Sequence, residues 1–298
     1  MSALVSVVIP TFNYGRFLQR AIDSVLAQTY SPLECIVVDD GSTDETAQVL
    51  SRYGDRVQAI RQANLGVSRA RNTGIRASRG DFVALLDADD AWAPAKIASQ
   101  VEMLLADPEL GVVGCASELV GDGGPPRAVR VRQVPRDLPD RLRRLATREA
   151  WVEGSCSGAM VPRRVLDEVG LFDEALQAGE DWDLWLRIAA RHRVGNVTSA
   201  ALVSISRHGT GTCRNVEKME YGQWTVYRSA VERWPELLDA TTRRRIRALI
   251  HADAGGEHLH ARRHRDALRR YLASLWEWPL APTRWRMVAR LAVRQWLR

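Results

Sequence analysis

The run Phe82-Val83-Ala84-Leu85-Leu86 ends in Asp87-Ala88-Asp89-Asp90. Five apolar residues closed by charge read as a strand buried on both faces. Carboxylates crowded at its end repel one another unless a cation or a polar ligand lies between them. A second run of the same design precedes it, where Cys35-Ile36-Val37-Val38 closes in Asp39-Asp40. Two such strands bring several negative charges to one edge of a sheet. In open α/β sheets that edge, outside the carboxyl ends of the strands, is where ligands bind. Helix capping is the competing role for either pair alone; the two together point to a ligand.

Outward from these strands the chain alternates strand and helix. Residues 4–9 read as a buried strand and Pro10-Thr11-Phe12-Asn13-Tyr14-Gly15 as a loop, after which Leu18, Ala21, Ile22, Val25 and Leu26 recur at helical spacing. Ser42 and Glu45 have capping-box spacing and predict a helix to about Arg52. A short strand is expected over residues 57–61 and a helix over 67–77. Pro94 suits the first turn of a helix carrying Ile97, Val101, Leu104 and Leu105. This alternation predicts an α/β fold with a doubly wound, mainly parallel sheet. After a strand at 112–115 the pattern weakens: 121–126 reads as a loop and 127–148 as a basic, mobile connection. A strand at 155–162, a short helix at 163–169, a helix from near Asp181 and a last strand at 203–206 follow. Everything beyond about Val216 reads as helix.

The formal charge is +6, but residues 243–298 hold 14 arginines against four acids (Asp253, Glu257, Asp266, Glu277), a net +10 that leaves −4 for the first 242 residues. A mildly acidic body with a basic tail points to a tail that meets something anionic. The 46% of hydrophobic residues supports a real core. Cys35, Cys115, Cys156 and Cys213 are far apart and form no CxxC, so neither zinc nor a disulfide framework is expected. The apolar lead from Val5 to Pro10 is too short for a signal peptide, and no run approaches the ~18 residues that span a bilayer. A cytoplasmic protein is predicted, free or peripheral on the inner face of the cell membrane. No GxxxxGK[ST], GxGxxG or HExxH occurs, which argues against a P-loop, a dinucleotide fingerprint and a zincin.

Five motifs occur in order: Val7-Val8-Ile9-Pro10-Thr11-Phe12-Asn13, Val37-Val38-Asp39-Asp40-Gly41-Ser42-Thr43-Asp44, Ala70-Arg71-Asn72-Thr73-Gly74, Leu86-Asp87-Ala88-Asp89-Asp90 and Gly179-Glu180-Asp181-Trp182. Over roughly residues 3–215 the chain resembles the family 2 inverting glycosyltransferases, whose catalytic domain has the nucleotide-sugar-binding GT-A fold. The resemblance implies transfer of a sugar from a nucleoside diphosphate donor, a UDP-sugar favoured, to a hydroxyl of a glycan or lipid-linked acceptor. It also implies a divalent cation, Mn2+ or Mg2+, and a role in polysaccharide or other glycoconjugate assembly. It divides the chain into a catalytic domain, 1–215, with a nucleotide-sugar half (about 1–115) and an acceptor half (about 116–215), and a basic helical extension, 216–298.

Residue by residue, Asp89 matches the second Asp of the family's Asp-x-Asp motif and is the expected metal ligand. Asp87 matches the first, with a ribose or metal contact. Asp90 either fixes the loop or caps the following helix. Asp40 matches the position that accepts from the nucleobase, a role Asp39 could share; its alternative is a turn residue before Gly41. Thr11 and Asn13 are expected at the base and ribose, with Pro10 setting the turn, and Arg71 and Asn72 are similar to residues that reach the nucleotide. Glu180-Asp181 matches the family's base motif, with Asp181 the expected base. The alternative for Asp181 is a helix N-cap. A helix N-terminus lowers a carboxylate pKa, and an apolar wall from Trp182 or Trp185 could offset that. His208, in the pair Arg207-His208, is either a metal or diphosphate contact or a surface histidine.

In the tail, Arg286, Arg290, Arg294 and Arg298 recur every four residues, with Trp285, Val288, Ala289, Ala292, Val293 and Trp296 on another face. Such a helix suits an anionic membrane surface, or docks on the catalytic domain or on a second copy in a homodimer. No nucleic-acid-binding module accompanies it. Two rival functions are a sugar nucleotidyltransferase, which would need a glycine-rich loop after the first strand, and a non-catalytic sugar-nucleotide-binding homologue.

Overall fold

Strand β1 (Val5–Thr11) is buried at every residue because it has strands on both edges and helices on both faces. It runs parallel to β2 (Leu33–Asp39), with Thr11 opposite Asp39, and to β4 (Phe82–Leu85), with Val8 opposite Leu85; β3 (Gln58–Arg61) continues the parallel set beyond β2. The carboxyl ends of these strands therefore open along one edge. The computed structural model describes residues 2–121, 126–129, 134–148, 156–208 and 215–296.

Past β4 the sheet is mixed. β8 (Met160–Pro162) pairs antiparallel with β4, and the long strands β6 (Leu110–Gly121) and β9 (Arg193–Arg207) pair parallel with each other. β5 (Ala91–Trp92) lies antiparallel on β9, and β7 (Arg127–Val129) antiparallel on β6. The order is β3-β2-β1-β4-β8-β6-β9-β5, with β7 off this path. Side chains alternate along a strand, so β1 feeds two cores. Val7 and Ile9 pack with α1 (Gly15–Leu26) and α4 (Lys96–Ala106), while Val8 faces the side of α3 (Val67–Ala77), α5 (Leu138–Ala146) and α7 (Glu180–Ala189). This is the doubly wound arrangement that the two-sided apolar runs predict.

Three local expectations are corrected. Part of the basic connection is the helix α5, capped by Asp137 and burying Leu142 and Leu145 completely; Arg143 and Arg144 stay on its outer face, while Arg141 is buried and donates to the carbonyl of Ala189 at 2.8 Å. In place of a strand over 155–162 there is a 3-10 turn, Cys156–Gly158, and then β8, with Ser155 outside the described residues. The Ser42/Glu45 capping box does not form: α2 (Thr46–Ser51) starts later, and Asp44 accepts from Thr46 N (3.0 Å) and Gly15 N (2.9 Å).

The C-terminal helices are α8 (Val216–Arg233), α9 (Ala240–His260), α10 (His264–Glu277) and α11 (Pro282–Trp296). Val226 and Ala230 of α8 and Ile246 and Ile250 of α9 belong to the same core as Trp182 and Trp185 of α7. A Cβ on Gly222 would lie 2.3 Å from the carbonyl oxygen of Ala178, so α8 meets the segment entering α7 backbone to backbone. Farther out, Leu291, Met287 and Val288 pack on Ala267 and Tyr271 of α10.

Among the buried charged residues of the described chain, Lys96 has no acidic partner in its bonds. Lys96 is fully buried, its Nζ 2.7 Å from Gln100 Oε1 and 3.8 Å from the centre of the Trp92 ring. Burial lowers its pKa to about 8 from 10.5. Between those values the unfolded chain binds more protons than the folded one, so this residue's cost to stability fades as pH rises through the window. Lys96→Met is expected to be more stable than wild type by up to about 3 kcal/mol at pH 7, less what the lost Gln100 bond contributes. Urea unfolding at pH 7 and pH 10 should show the advantage shrinking; a constant difference would mean that the ammonium is not what costs stability.

Candidate active site

The wall at the ends of β1 and β2 is tied by short polar contacts. Asn13 takes a left-handed backbone (φ 56°), donates its N–H to Ser42 Oγ (2.9 Å) and accepts from Thr43 N at Oδ1 (2.8 Å). Asp39 Oδ1 accepts from Ser42 N at 2.8 Å, and its other oxygen faces Arg61 Nη1 at 3.3 Å. Asp40 accepts from Gln62 Nε2 (2.7 Å), Leu65 N (2.9 Å) and Gly66 N (2.8 Å). Both carboxylates are buried and already hold the loops that flank them. A nucleobase contact would have to share Asp40 with the 62–66 loop. Pro10 lies within buried β1, and Thr11 keeps a buried Oγ1 with no hydrogen-bond partner.

At the end of β4 the acidic residues separate into distinct jobs. Asp90, 3% exposed, accepts from Ser157 Oγ (2.6 Å) and Ser206 N (2.9 Å), and Ser157 Oγ in turn accepts from Asp87 N (3.0 Å). Burial, then Asp87 and Asp89, push the Asp90 carboxyl up to about 8. Asp90 thus fixes the loop. Asp89 Oδ2 lies 2.8 Å from His208 Nε2, and the His208 ring stacks on Phe17 with centroids 4.4 Å apart. Burial and the neighbouring Asp87 raise the Asp89 carboxyl. Arg20 of α1 bonds the carbonyl of Asp89 and the hydroxyl of Ser206.

Arg71 joins this cluster to the start of α7. Projecting from α3 and only 5% exposed, it places Nη2 2.7 Å from Asp87 Oδ1 and Nη1 2.7 Å from Glu180 Oε1. Asp181 stands beside Glu180. The N-cap of α7 is Gly179, in the left-handed region at φ 77°, so Asp181 is not the cap, although its Oδ1 accepts from Trp182 N at 2.7 Å. Burial, then the adjacent Glu180, raise its carboxyl to about 6, with Arg71 pulling the other way. Trp182 and Trp185, both buried, form the apolar floor of this helix start. Here burial outweighs the helix terminus.

Of the predicted residues, Arg71 joins Asp87 to Glu180, His208 bonds Asp89, and Asp181 adjoins Glu180 in sequence, while Pro10, Thr11, Asn13, Asp39 and Asp40 lie at or just past the neighbouring strand ends. Asn72 departs from expectation: 1% exposed, it turns its amide to Phe172 O (2.9 Å), Glu174 Oε1 (3.0 Å) and Phe172 N (3.0 Å), pinning the 172–174 segment. Ser157, Phe17 and Arg20 escaped the sequence reading. The side-chain partners of Arg20 and Ser157 lie 67 or more residues away, and no local pattern marks them. The side chain of Arg207 and residues 209–214 lie outside the described residues.

Among the described residues no three His, Cys, Asp or Glu side chains converge closely enough to hold a metal ion by themselves. Mg2+ and Mn2+ commonly bind one or two carboxylates and take their other oxygens from phosphates and water. Asp89, with Asp87 and His208 beside it, fits that mode, because a cation would offset the crowding that raises the Asp89 carboxyl.

The family model for Glycosyl transferase family 2 matches residues 6–170. The chain belongs to that family. It is 36% identical over 187 residues to a glycosyltransferase of Nostoc sp. strain PCC 7120, covering 61% of this chain and 56% of the relative. It is 39% identical over 118 residues to glycosyltransferase EpsJ of Bacillus subtilis, covering 39% and 34%. The matches span between about a third and three-fifths of the length of the first curated relatives, from 31% to 58%. The family 2 chain also superposes on S. aureus TarS 1-349 in complex with UDP-GlcNAc (TM-score 0.63, 15% identity, 91% of each chain). On mannosyltransferase PcManGT from Pyrobaculum calidifontis, in complex with GDP-Man and Mn2+, it gives a TM-score of 0.63 at 21% identity, covering 98% of this chain and 79% of that one. Its fold is the GT-A fold.

Proposed function

We propose that this family 2 chain is an inverting, metal-dependent glycosyltransferase that moves a sugar from a nucleoside diphosphate donor, a UDP-sugar favoured, to an acceptor hydroxyl. The observation that carries this reading is the position of Arg71. One buried guanidinium bonds both the carboxylate at the end of β4 and the one at the start of α7, so the segment suited to the leaving diphosphate and the segment suited to the attacking hydroxyl are tied together. Breaking the glycosidic bond loads charge on the diphosphate, and a cation at Asp89 and Asp87, with His208, would offset it. Asp181, raised to about 6, is ionised at neutral pH yet basic enough to take the acceptor's proton. The TarS and PcManGT complexes, with UDP-GlcNAc and with GDP-Man and Mn2+, support a nucleotide-sugar donor and a divalent cation here. A glycan or lipid-linked acceptor, and hence glycoconjugate assembly, completes the reading.

Pro10-Thr11-Phe12-Asn13, which closes and follows β1, offers none of the glycine-rich backbone that a nucleotidyltransferase needs around a triphosphate. A thermal-shift panel of nucleoside diphosphates with manganese tests the donor. UDP with Mn2+ at about a hundred times Kd should add about 2.7 kcal/mol of stability, a rise of several degrees in Tm. No rise with any nucleoside diphosphate would overturn the reading. Donor hydrolysis separates an enzyme from a binding homologue, which would bind UDP and release no sugar.

A further inference from the structure

The tail's apolar residues do not all go where the sequence pattern places them. Val288, on the predicted membrane face, packs on α10 instead, and the side chains of Val293 and Trp296 lie outside the described residues. A different surface is left open. Leu272 and Trp276, one turn apart on α10, are 47% and 84% exposed; Leu280, in the link to α11, is 78% exposed; and Trp285 is 52% exposed. Trp285 Nε1 donates to Pro279 O at 2.9 Å, which folds its ring back against that link. The four side chains thus follow one another around the α10–α11 corner.

Arginines surround this corner. Arg269, with its side chain 81% exposed, precedes Leu272 by three residues and Trp276 by seven, on the same helical face. Arg244 donates to the carbonyl of Trp276 and is half exposed, and Arg286 and Arg290 are exposed on α11. The acids nearby are engaged: Glu277 pairs with Arg247 and Asp266 lies 3.8 Å from Arg269. Isolated exposed apolar residues are ordinary, but a cluster of two tryptophans and two leucines ringed by cations is not. Among the described residues no helix is long and apolar enough to cross a membrane.

We propose that the α10–α11 corner is a docking surface for an anionic phospholipid bilayer, with Trp276, Leu280, Trp285 and Leu272 entering the interface and Arg244, Arg269, Arg286 and Arg290 meeting the headgroups. Charge complementarity selects this partner. Tryptophan favours the headgroup level, where its ring is buried and its N–H stays wet. A second copy of the chain is disfavoured, because a two-fold contact through this patch would set the arginines against their own counterparts.

The test uses the full chain, sedimented with vesicles of phosphatidylcholine alone or mixed with phosphatidylglycerol. Binding to the anionic vesicles should exceed binding to the neutral ones at least tenfold and fall several-fold between 0.05 and 0.5 M salt. The double variant Trp276→Ala/Leu280→Ala should lose at least tenfold in partitioning, and Arg269→Glu/Arg286→Glu should bind no better than wild type does to neutral vesicles. All four positions are on the surface, and circular dichroism verifies the fold. Equal binding to both vesicle types, no binding, or full binding by the double variant would overturn the proposal. So would a dimer in sedimentation equilibrium that the double variant dissociates, which would assign the corner to a second copy.

Discussion

Replacing Asp89 by alanine is expected to abolish sugar transfer and to remove the dependence of donor binding on a divalent ion. The carboxylate stands in the turn that follows β4, near Asp87 and 2.8 Å from His208, and is the proposed holder of the cation. Its carboxyl is raised by burial and by Asp87. A folded-state pKa above the unfolded one means that ionised Asp89 costs stability at neutral pH, and that the cost disappears as pH falls below both values. The metal-free variant should therefore melt no lower than wild type while losing activity entirely. Calorimetry of UDP with and without Mn2+ checks the first half. Unchanged metal dependence in the variant would show that Asp89 is not the ligand.

Asp181→Asn should leave folding and donor binding nearly intact and cut turnover by roughly 10² or more, the scale of lost general-base catalysis. Asparagine keeps the acceptor oxygen that receives Trp182 N at 2.7 Å, so the start of α7 has no reason to change. In wild type, turnover should climb as pH rises through about 6, where Asp181 gives up its proton, and then level off. The asparagine variant should lose that rise. Wild-type turnover with acceptor present, or an unaltered pH profile, would remove Asp181 from the base role and leave it a structural carboxylate.

What the sequence shows of this site is what local chemistry can show. Aspartates that interrupt apolar runs at Asp39 and Asp87 mark strand ends, and the helix Val67–Ala77 begins and ends where its spacing says. The long strands β6 and β9 are harder to see. Beyond Cys115 the apolar pattern weakens, yet Ser117 and Glu118 pair with Val203 and Ser204. Helix α5 hides behind its arginines because one of them, Arg141, lies on the inner face with Leu142, Leu145 and Ala146. Asn72 reads as a nucleotide contact through its neighbour Arg71, but its amide is spent on residues a hundred positions away, and adjacency in a motif says nothing about where such a side chain points. The same holds for Ser157, which welds Asp87 to Asp90 from a turn with no signature of its own.

The contact between Gly222 and Ala178 bears on how such chains diversify. Glycosyltransferases of this architecture could in principle trade tails as interchangeable modules, one catalytic body with many attachments. Here the tail's first helix touches the carbonyl of Ala178, three residues ahead of Asp181, at a spacing that leaves no room for a single methyl group. A chimera spliced after residue 215 would carry a foreign side chain against the segment that leads to the proposed base unless its first helix kept a glycine there. Any history of tail exchange is thereby confined to partners that preserve this one small residue, or to splices made farther along, beyond α9.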